Sequence, residues 1–222
     1  MLIAVVPAYN EERNIGPVIS GLFSHIDKVV VVDDGSTDNT ASEAEKFGAI
    51  VLRHEINRGQ GAALQTGHDY ALRIGVDYAL DFDGDGQFDV ADIGPALAKL
   101  RESGADILFG SRFLDGRSQV PWLKRGILLP LARLFNRWFF GINLTDAHNG
   151  FRVLNRRALE QIHITQDRMA HASEIPAQAK RLGLKCIEFP VKVMYREYGQ
   201  GWGGALRVVR DLVLGWFVGR GK

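Results

Sequence analysis

The sequence predicts an α/β protein built on a mostly parallel sheet with helices on both faces, and three observations carry that reading. Short apolar runs alternate with segments of helical period through the first half of the chain. One of those runs, Lys28–Asp33, holds four consecutive valines, the pattern of a strand buried on both faces. Motifs rich in Asp, Asn and Gly follow directly after the runs. In open parallel sheets, ligands bind beyond the carboxyl ends of the strands.

The elements follow in order. Residues 2–7 form a short apolar strand, and residues 11–24 read as a helix with Asn10 as its N-cap. The valine strand at Lys28–Asp33 leads to a helix over 37–47, a strand over 49–53 and a helix over 62–74. A strand over 77–82 ends in acidic residues. Asp89 caps the next helix, with Asp92 three residues on, and a further strand covers 106–110. The second half is less regular. Residues 122–140 and 208–218 are apolar with helical period but are interrupted by Lys124, Arg125, Pro130, Arg133, Arg137 and Arg210. Neither supplies the roughly 20 uninterrupted apolar residues of a spanning helix. Two readings stay open for them, packing on the sheet or lying in a membrane interface with Trp, Phe and Arg at headgroup level.

A chain of 222 residues makes one large domain or two small ones, and a core of that size needs no disulfide. The lone Cys186 forms none within the chain, which suits a reducing compartment. The N-terminus shows neither a basic flank nor a cleavage site, so no signal peptide is expected. The net charge of +1 hides a marked asymmetry: −10 over residues 1–111 and +11 over residues 112–222. An acidic half suits a cation, and a basic half suits phosphate, nucleic acid or an anionic membrane.

The acidic half concentrates its charge. Asp81, Asp83, Asp85, Asp89 and Asp92 fall within twelve residues. Carboxylates so close repel unless a cation or proton lies between them, and oxygen ligands suit Mg²⁺, Mn²⁺ or Ca²⁺. The spacing also resembles an EF-hand loop, but the lead-in reads as a strand rather than a helix. Asp33-Asp34-Gly35-Ser36-Thr37 is either a capped strand-to-helix turn or a pair of acceptors for a base or ribose. Asn57-Arg58-Gly59-Gln60-Gly61 precedes a helix as a phosphate loop would. It lacks the Walker lysine and the third dinucleotide glycine, so a plain loop is the better reading. Arg112, His148, Arg152 and Arg196 lie in glycine-containing segments, where arginine binds phosphate in a bidentate manner.

Five motifs in order carry a resemblance: Pro7-Ala-Tyr-Asn-Glu-Glu12, Asp33-Asp-Gly-Ser-Thr-Asp38, Asn57-x-Gly59-x-Gly61, Asp83-Gly-Asp85-Gly-Gln87 and Gly150-Phe-Arg152. Over about residues 1–200 the chain resembles family 2 glycosyltransferases of the GT-A fold, and among them the dolichyl- or polyprenyl-phosphate mannose or glucose synthases. The resemblance implies a Rossmann-like single domain over 1–222, with a nucleotide and metal half at 1–111 and an acceptor half at 112–222. It implies that Pro7, Ala8, Tyr9, Glu11 and Asp34 line the nucleotide pocket, with Asp33 near the base or ribose. Asp83, Asp85 and Gln87 would hold Mg²⁺ or Mn²⁺ against the diphosphate of a GDP- or UDP-sugar. Arg112 would bind phosphate, and Arg125 and Arg196 the phosphate of a polyprenyl acceptor. Asp146 and the segment ending at Arg152 would border sugar and acceptor, with Asp85, Arg112 and Asp146 at the chemistry and inversion at the anomeric centre. Nucleic acid is not among the implied partners. A cytoplasmic enzyme peripheral to the membrane is expected.

The acidic triplet continues as Gly86-Gln87-Phe88, without the His-Pro often found in lipid-phosphate relatives. A saccharide hydroxyl acceptor therefore stays open, with Asp146 or His148 as the base it would require. So does a sugar-nucleotide-binding adaptor without catalysis.

Overall fold

A computed structural model describes residues 1–118 and 144–194 of the chain. Its seven-stranded sheet runs in the order β3-β2-β1-β4-β6-β5-β7. The strands are β1 Leu2–Ala8, β2 Lys28–Asp33, β3 Ile50–Arg53, β4 Tyr78–Asp81, β5 Ile107–Ser111, β6 Arg152–Asn155 and β7 Cys186–Pro190. Only β6 runs against its neighbours, antiparallel to both β4 and β5. The helices are α1 Ile15–Leu22, α2 Thr40–Lys46, α3 Gln60–Arg73, α4 Ile93–Ser103, α5 Arg156–Gln161 and α6 His171–Arg181.

The continuous apolar runs are explained by two cores, one on each face of the sheet. Along β1, Leu2, Ala4, Val6 and Ala8 point into one core with Ile19 of α1 and Leu100 of α4. Ile3 and Val5 point into the other, with Leu64 of α3 and Ile175 of α6. Every position of such a strand is buried, so no polar alternation survives in the sequence.

The first two helices start later than local pattern predicts, while α3 starts two residues earlier, at Gln60. Asn10 is not the N-cap of α1. It sits at φ +56°, its N–H donates to Ser36 Oγ, and its side-chain oxygen accepts from the Thr37 N–H. Residues 11–14 form a turn, and α1 begins only at Ile15. Asp38 accepts from the Thr40 N–H, so α2 begins at Thr40 rather than at 37. Asp89 does cap, by accepting from the Ala91 N–H of a 3₁₀ turn at Val90–Asp92. Asp92 makes no capping bond. Its carboxylate takes Arg117 Nη1 at 2.8 Å and the Lys192 N–H at 2.7 Å, tying the loop after β5 to the segment after β7.

The local pattern predicts neither β6 nor β7. The reversed direction of β6 has a consequence for function. The segment leading into β6 arrives at the same sheet edge where β1, β2, β4 and β5 end. No helix among the described residues is long and apolar enough to cross a membrane. The segments 122–140 and 208–218 lie outside the described residues.

Candidate active site

Four strands deliver their last residues to one edge: Ala8 of β1, Asp33 of β2, Asp81 of β4 and Ser111 of β5. The candidate residues lie at or just beyond these strand ends, at the point where the strand order reverses between β1 and β4. Glu11 is half-buried, takes a hydrogen bond from Asn14 Nδ2 at 2.7 Å, and is raised from its ordinary value by burial and by the charges of Asp85 and Asp38. The β1 and β2 loops are stitched together by Asn10 and by the Glu11 N–H, which donates to Thr40 Oγ1. Pro7 and Ala8 are buried on β1, and Tyr9 is exposed at the rim.

The two aspartates after the valine run do different jobs. Asp33 is fully buried. Its Oδ1 accepts from the Ser36 N–H, and Arg53 Nε lies 3.1 Å from Oδ2. Arg53 and Ser36 border a hollow of about 490 Å³ that also touches Gly35, Thr37 and His54. Asp34 instead turns inward. It accepts from the Arg58 N–H at 3.0 Å and the Gly59 N–H at 2.6 Å, and it lies 2.7 Å from His54 Nδ1. His54 Nε2 in turn meets Thr66 Oγ1 at 2.9 Å. Asp34 therefore holds the 54–59 loop from behind, which changes its expected place as a lining residue.

The acidic cluster divides. Asp81 is buried in β4 against His68 Nε2 at 2.7 Å, with Arg152 Nη1 at 3.9 Å, so it cannot start a calcium loop. Asp83 and Asp85 lie beyond the strand. Asp83 Oδ1 accepts from Gln60 Nε2 at 2.8 Å, and its carboxyl is pushed up to about 6, first by burial and next by the charge of Asp85. Asp85 Oδ1 accepts from the Gln87 N–H at 3.0 Å. The Gln87 carbonyl accepts from the Met194 N–H, which binds this turn to the segment after β7. Phe82, Phe88 and Phe151 pack together, Phe151 edge to face with the other two, with ring centroids 5.5 to 6.2 Å apart.

Among the described residues no three acidic, His or Cys side chains gather as a self-sufficient metal cage. Asp83 and Asp85 nevertheless fit a divalent ion. Their mutual repulsion is what such an ion relieves, and Mg²⁺ characteristically takes one or two carboxylates plus substrate phosphates.

Beyond β4 in the sheet order, Arg112 follows β5 and Asp146 precedes β6. Arg112 Nε donates to Asp146 Oδ2 at 2.6 Å and Nη2 to Oδ1 at 3.2 Å, a bidentate pair. Asp146 also accepts from Asn149 Nδ2 and from the Arg112 N–H. Glu188 on β7 anchors this loop, accepting from both the N–H and the hydroxyl of Thr145 at 2.6 Å. Asp146 is thus 6% exposed and engaged on both oxygens, whereas Arg112 keeps 23% of its side chain exposed. His148 is partly buried and held below its ordinary value, mainly by burial.

Arg152 is not at the surface. Expected as an acceptor-side arginine, it is 1% exposed, and its side chain enters the layer between β4 and α3 with Asp81 and His68. Four atoms of this group find no hydrogen-bond partner: Arg152 Nε and Nη1, Asp81 Oδ2 and His68 Nδ1. Arg125 and Arg196 lie outside the described residues. Sequence reasoning placed Gln60 and Gly150 inside motifs but gave neither a role of its own. Gln60 stood inside a motif read as a loop, and Gly150 betrays itself only in three dimensions, where a Cβ would collide with the Asp83 carboxylate.

Comparison with known proteins shows the family. The model of the family described as Glycosyl transferase family 2 matches residues 3–163. The UDP-N-acetylglucosamine–dolichyl-phosphate N-acetylglucosaminyltransferase of Methanococcus voltae is 30% identical, over 91% of this chain and 89% of that protein. The polyprenol monophosphomannose synthase of Mycolicibacterium smegmatis is 29% identical, over 89% of this chain and 78% of that protein. A crystal structure of glucosyl-3-phosphoglycerate synthase from Mycobacterium tuberculosis with Mn²⁺ and UDP-glucose superposes with a TM-score of 0.72. It is 20% identical and covers 97% of this chain and 78% of that one, a likeness of fold.

Proposed function

The chain belongs to glycosyl transferase family 2, and on that premise we propose that it moves a hexosyl group from a nucleoside-diphosphate sugar to a polyprenyl phosphate, with inversion, using Mg²⁺ or Mn²⁺. Relatives named for transfer to dolichyl phosphate and for polyprenol monophosphomannose synthesis support the acceptor class. The fit of Asp83 and Asp85 to a divalent ion supports the cofactor.

The observation that carries the acceptor is the Arg112–Asp146 pair. A hydroxyl acceptor needs a base within hydrogen-bond reach of its proton. Asp146 has both oxygens committed to Arg112 and Asn149, so it is a poor base and a good positioning group. His148 is a weakened base, held low by burial. A phosphate monoester is already anionic and needs no base. It needs a cation, and Arg112 is a cation fixed by Asp146 whose side chain is 23% exposed.

The chain's own residues then act as follows. Glu11, Tyr9 and the β2 loop bind the nucleoside. Asp83 and Asp85 hold the divalent ion, with Gln87 bracing their turn. A bound Mg²⁺ or Mn²⁺ supplies charge neutralisation on the diphosphate. Arg112 offsets negative charge at the reacting phosphates, an electrostatic contribution that is often the largest in such transfers. Arg125 and Arg196 bring further positive charge for the acceptor. The basic second half and residues 122–140 and 208–218 favour a peripheral position at the membrane that carries the lipid.

The test is turnover. Purified protein, Mn²⁺ and a panel of UDP- and GDP-sugars are assayed with a polyprenyl phosphate and, separately, with free saccharides. Lipid-linked sugar with the inverted anomeric configuration is expected. Asp85→Ala should abolish turnover without unfolding the protein. Full activity in that variant, or transfer to saccharides alone, defeats the proposal.

A further inference from the structure

The Asn57–Gly61 segment resembles a phosphate loop, yet its polar groups point elsewhere. The N–H groups of Arg58 and Gly59 are consumed by Asp34, a carboxylate of the protein itself. Gly59 adopts φ +114°, a conformation that side chains rarely tolerate. A Cβ on Gly59 or Gly61 would collide with the backbone of residues 166–167, and the Ala62 N–H donates to the Asp167 carbonyl. The glycines are therefore explained by close packing between this turn and the segment before α6. The turn is held from three sides: by Asp34, by residues 166–167, and by α3, which it begins.

The side chain so rigidly carried is Gln60. Its Nε2 donates to Asp83 Oδ1 at 2.8 Å. A carboxylate oxygen only accepts, so the amide nitrogen must face it. On the other side Asp83 rests against the Cα of Gly150, where there is no room for a methyl group. The Gln60 amide holds one oxygen of the Asp83 carboxylate, and the bare Cα of Gly150 gives the group the space it occupies.

We propose that Gln60 is a positioning residue for the Asp83 metal ligand, and that the Asn57–Gly61 turn serves to hold it in place instead of binding phosphate. The inference rests on the metal assignment made above. It links two ends of the site. Asp34 at the end of β2 fixes Gly59, Gly59 precedes Gln60, and Gln60 sets the carboxylate beyond β4.

Outer-shell partners of metal ligands set ligand orientation, and their loss typically costs about 10- to 100-fold in metal affinity. The experiment is a Mn²⁺ titration followed by electron paramagnetic resonance of free Mn²⁺, with UDP or GDP present, on wild type, Gln60→Leu and Gln60→Met. Both variants should bind Mn²⁺ about 10- to 100-fold more weakly at an unchanged melting temperature. In steady state the half-saturating Mn²⁺ concentration should rise by the same factor. The kcat should recover at saturating Mn²⁺, because Asp83 and Asp85 remain. Wild-type Mn²⁺ affinity in folded Gln60→Leu overturns the proposal and leaves the transferase reading standing. Loss of fold in both variants overturns it as well, since Gln60 would then be a structural residue. A wild-type protein that binds no Mn²⁺ with either nucleotide would instead remove the metal assignment itself.

Discussion

Gly150→Ala tests the architecture of the site through a single methyl group. Gly150 lies just before β6, and its φ is not in the left-handed region, so alanine there brings no backbone strain. By itself the change should shift stability by no more than about 1 kcal/mol, partly through lower entropy of the unfolded chain. The new Cβ, however, would sit 2.5 Å from Asp83 Cγ and Oδ1, and closer still to Oδ2. Ordinary contact begins near 3.4 Å, so one partner must retreat by about 1 Å. The backbone is the stiffer of the two. The Phe151 N–H is held by Asn149 Oδ1 at 2.9 Å, the Phe151 carbonyl accepts from the Gly110 N–H at 2.8 Å, and the Phe151 ring is locked among Phe82 and Phe88. The Asp83 carboxylate should therefore move, against its bond to Gln60. A misplacement of 1 Å at a reacting centre costs about 100-fold in rate. The assay is nucleoside diphosphate release with Mn²⁺ and polyprenyl phosphate, beside equilibrium unfolding of the same preparation. Wild-type kcat would refute the reasoning. So would a fall in kcat matched by several kcal/mol of lost stability, which would mean that β6 moved.

Three further outcomes follow from packing and charge. Gly61→Ala lies in the first turn of α3, where alanine is ordinarily better by about 1 kcal/mol. Because its methyl would meet the Gln166 carbonyl, urea unfolding should show a loss of about 1–3 kcal/mol instead. Arg152→Met leaves Asp81 buried without its cation and should cost about 3–5 kcal/mol. Adding Asp81→Asn should recover part of that loss in the same unfolding assay. His171 is 2% exposed and held down to about 4, first by burial and next by the nearby Arg152 charge. The unfolded chain takes up a proton near the ordinary value of 6.5 while the folded one does not. Stability should then be full above about 6.5 and fall as pH drops toward 4, by about 3 kcal/mol. His171→Gln should flatten that slope in urea titrations run from pH 4 to 7.

The first half of the fold was legible because its signals are local. The valine run of β2 and the apolar β1 can be satisfied only in a sheet covered on both faces. Their order with α1, α2 and α3 was recovered with shifts of a few residues at the ends. The shifts have causes the apolar pattern does not carry: Asn10 spends its side chain on the neighbouring loop, not on the helix start predicted for it, and Asp38 takes the Thr40 N–H, which sets the start of α2 at Thr40. Strands β6 and β7 escaped, since both pair with strands from distant parts of the chain. The reversed direction of β6 follows from its pairing with β4 and β5.

The sequence by itself determined the α/β architecture and the family that the ordered motifs resemble, and it pointed to Asp83 and Asp85 as the pair suited to a metal. Only the tertiary structure decided what each polar side chain is for. Asp33 and Asp34 are adjacent and chemically identical, yet one borders the hollow beside β2 and the other grips a loop. Arg112 and Arg152 were both expected at phosphate, yet one is partly exposed on Asp146 and the other is buried by Asp81. The physical reason is the range of the forces involved. Apolar periodicity is set within one element, whereas a carboxylate or guanidinium takes its role from partners that the fold brings in from 24 to 71 residues away. Those partners, and the methyl-sized gap at Gly150, exist only once the chain has folded.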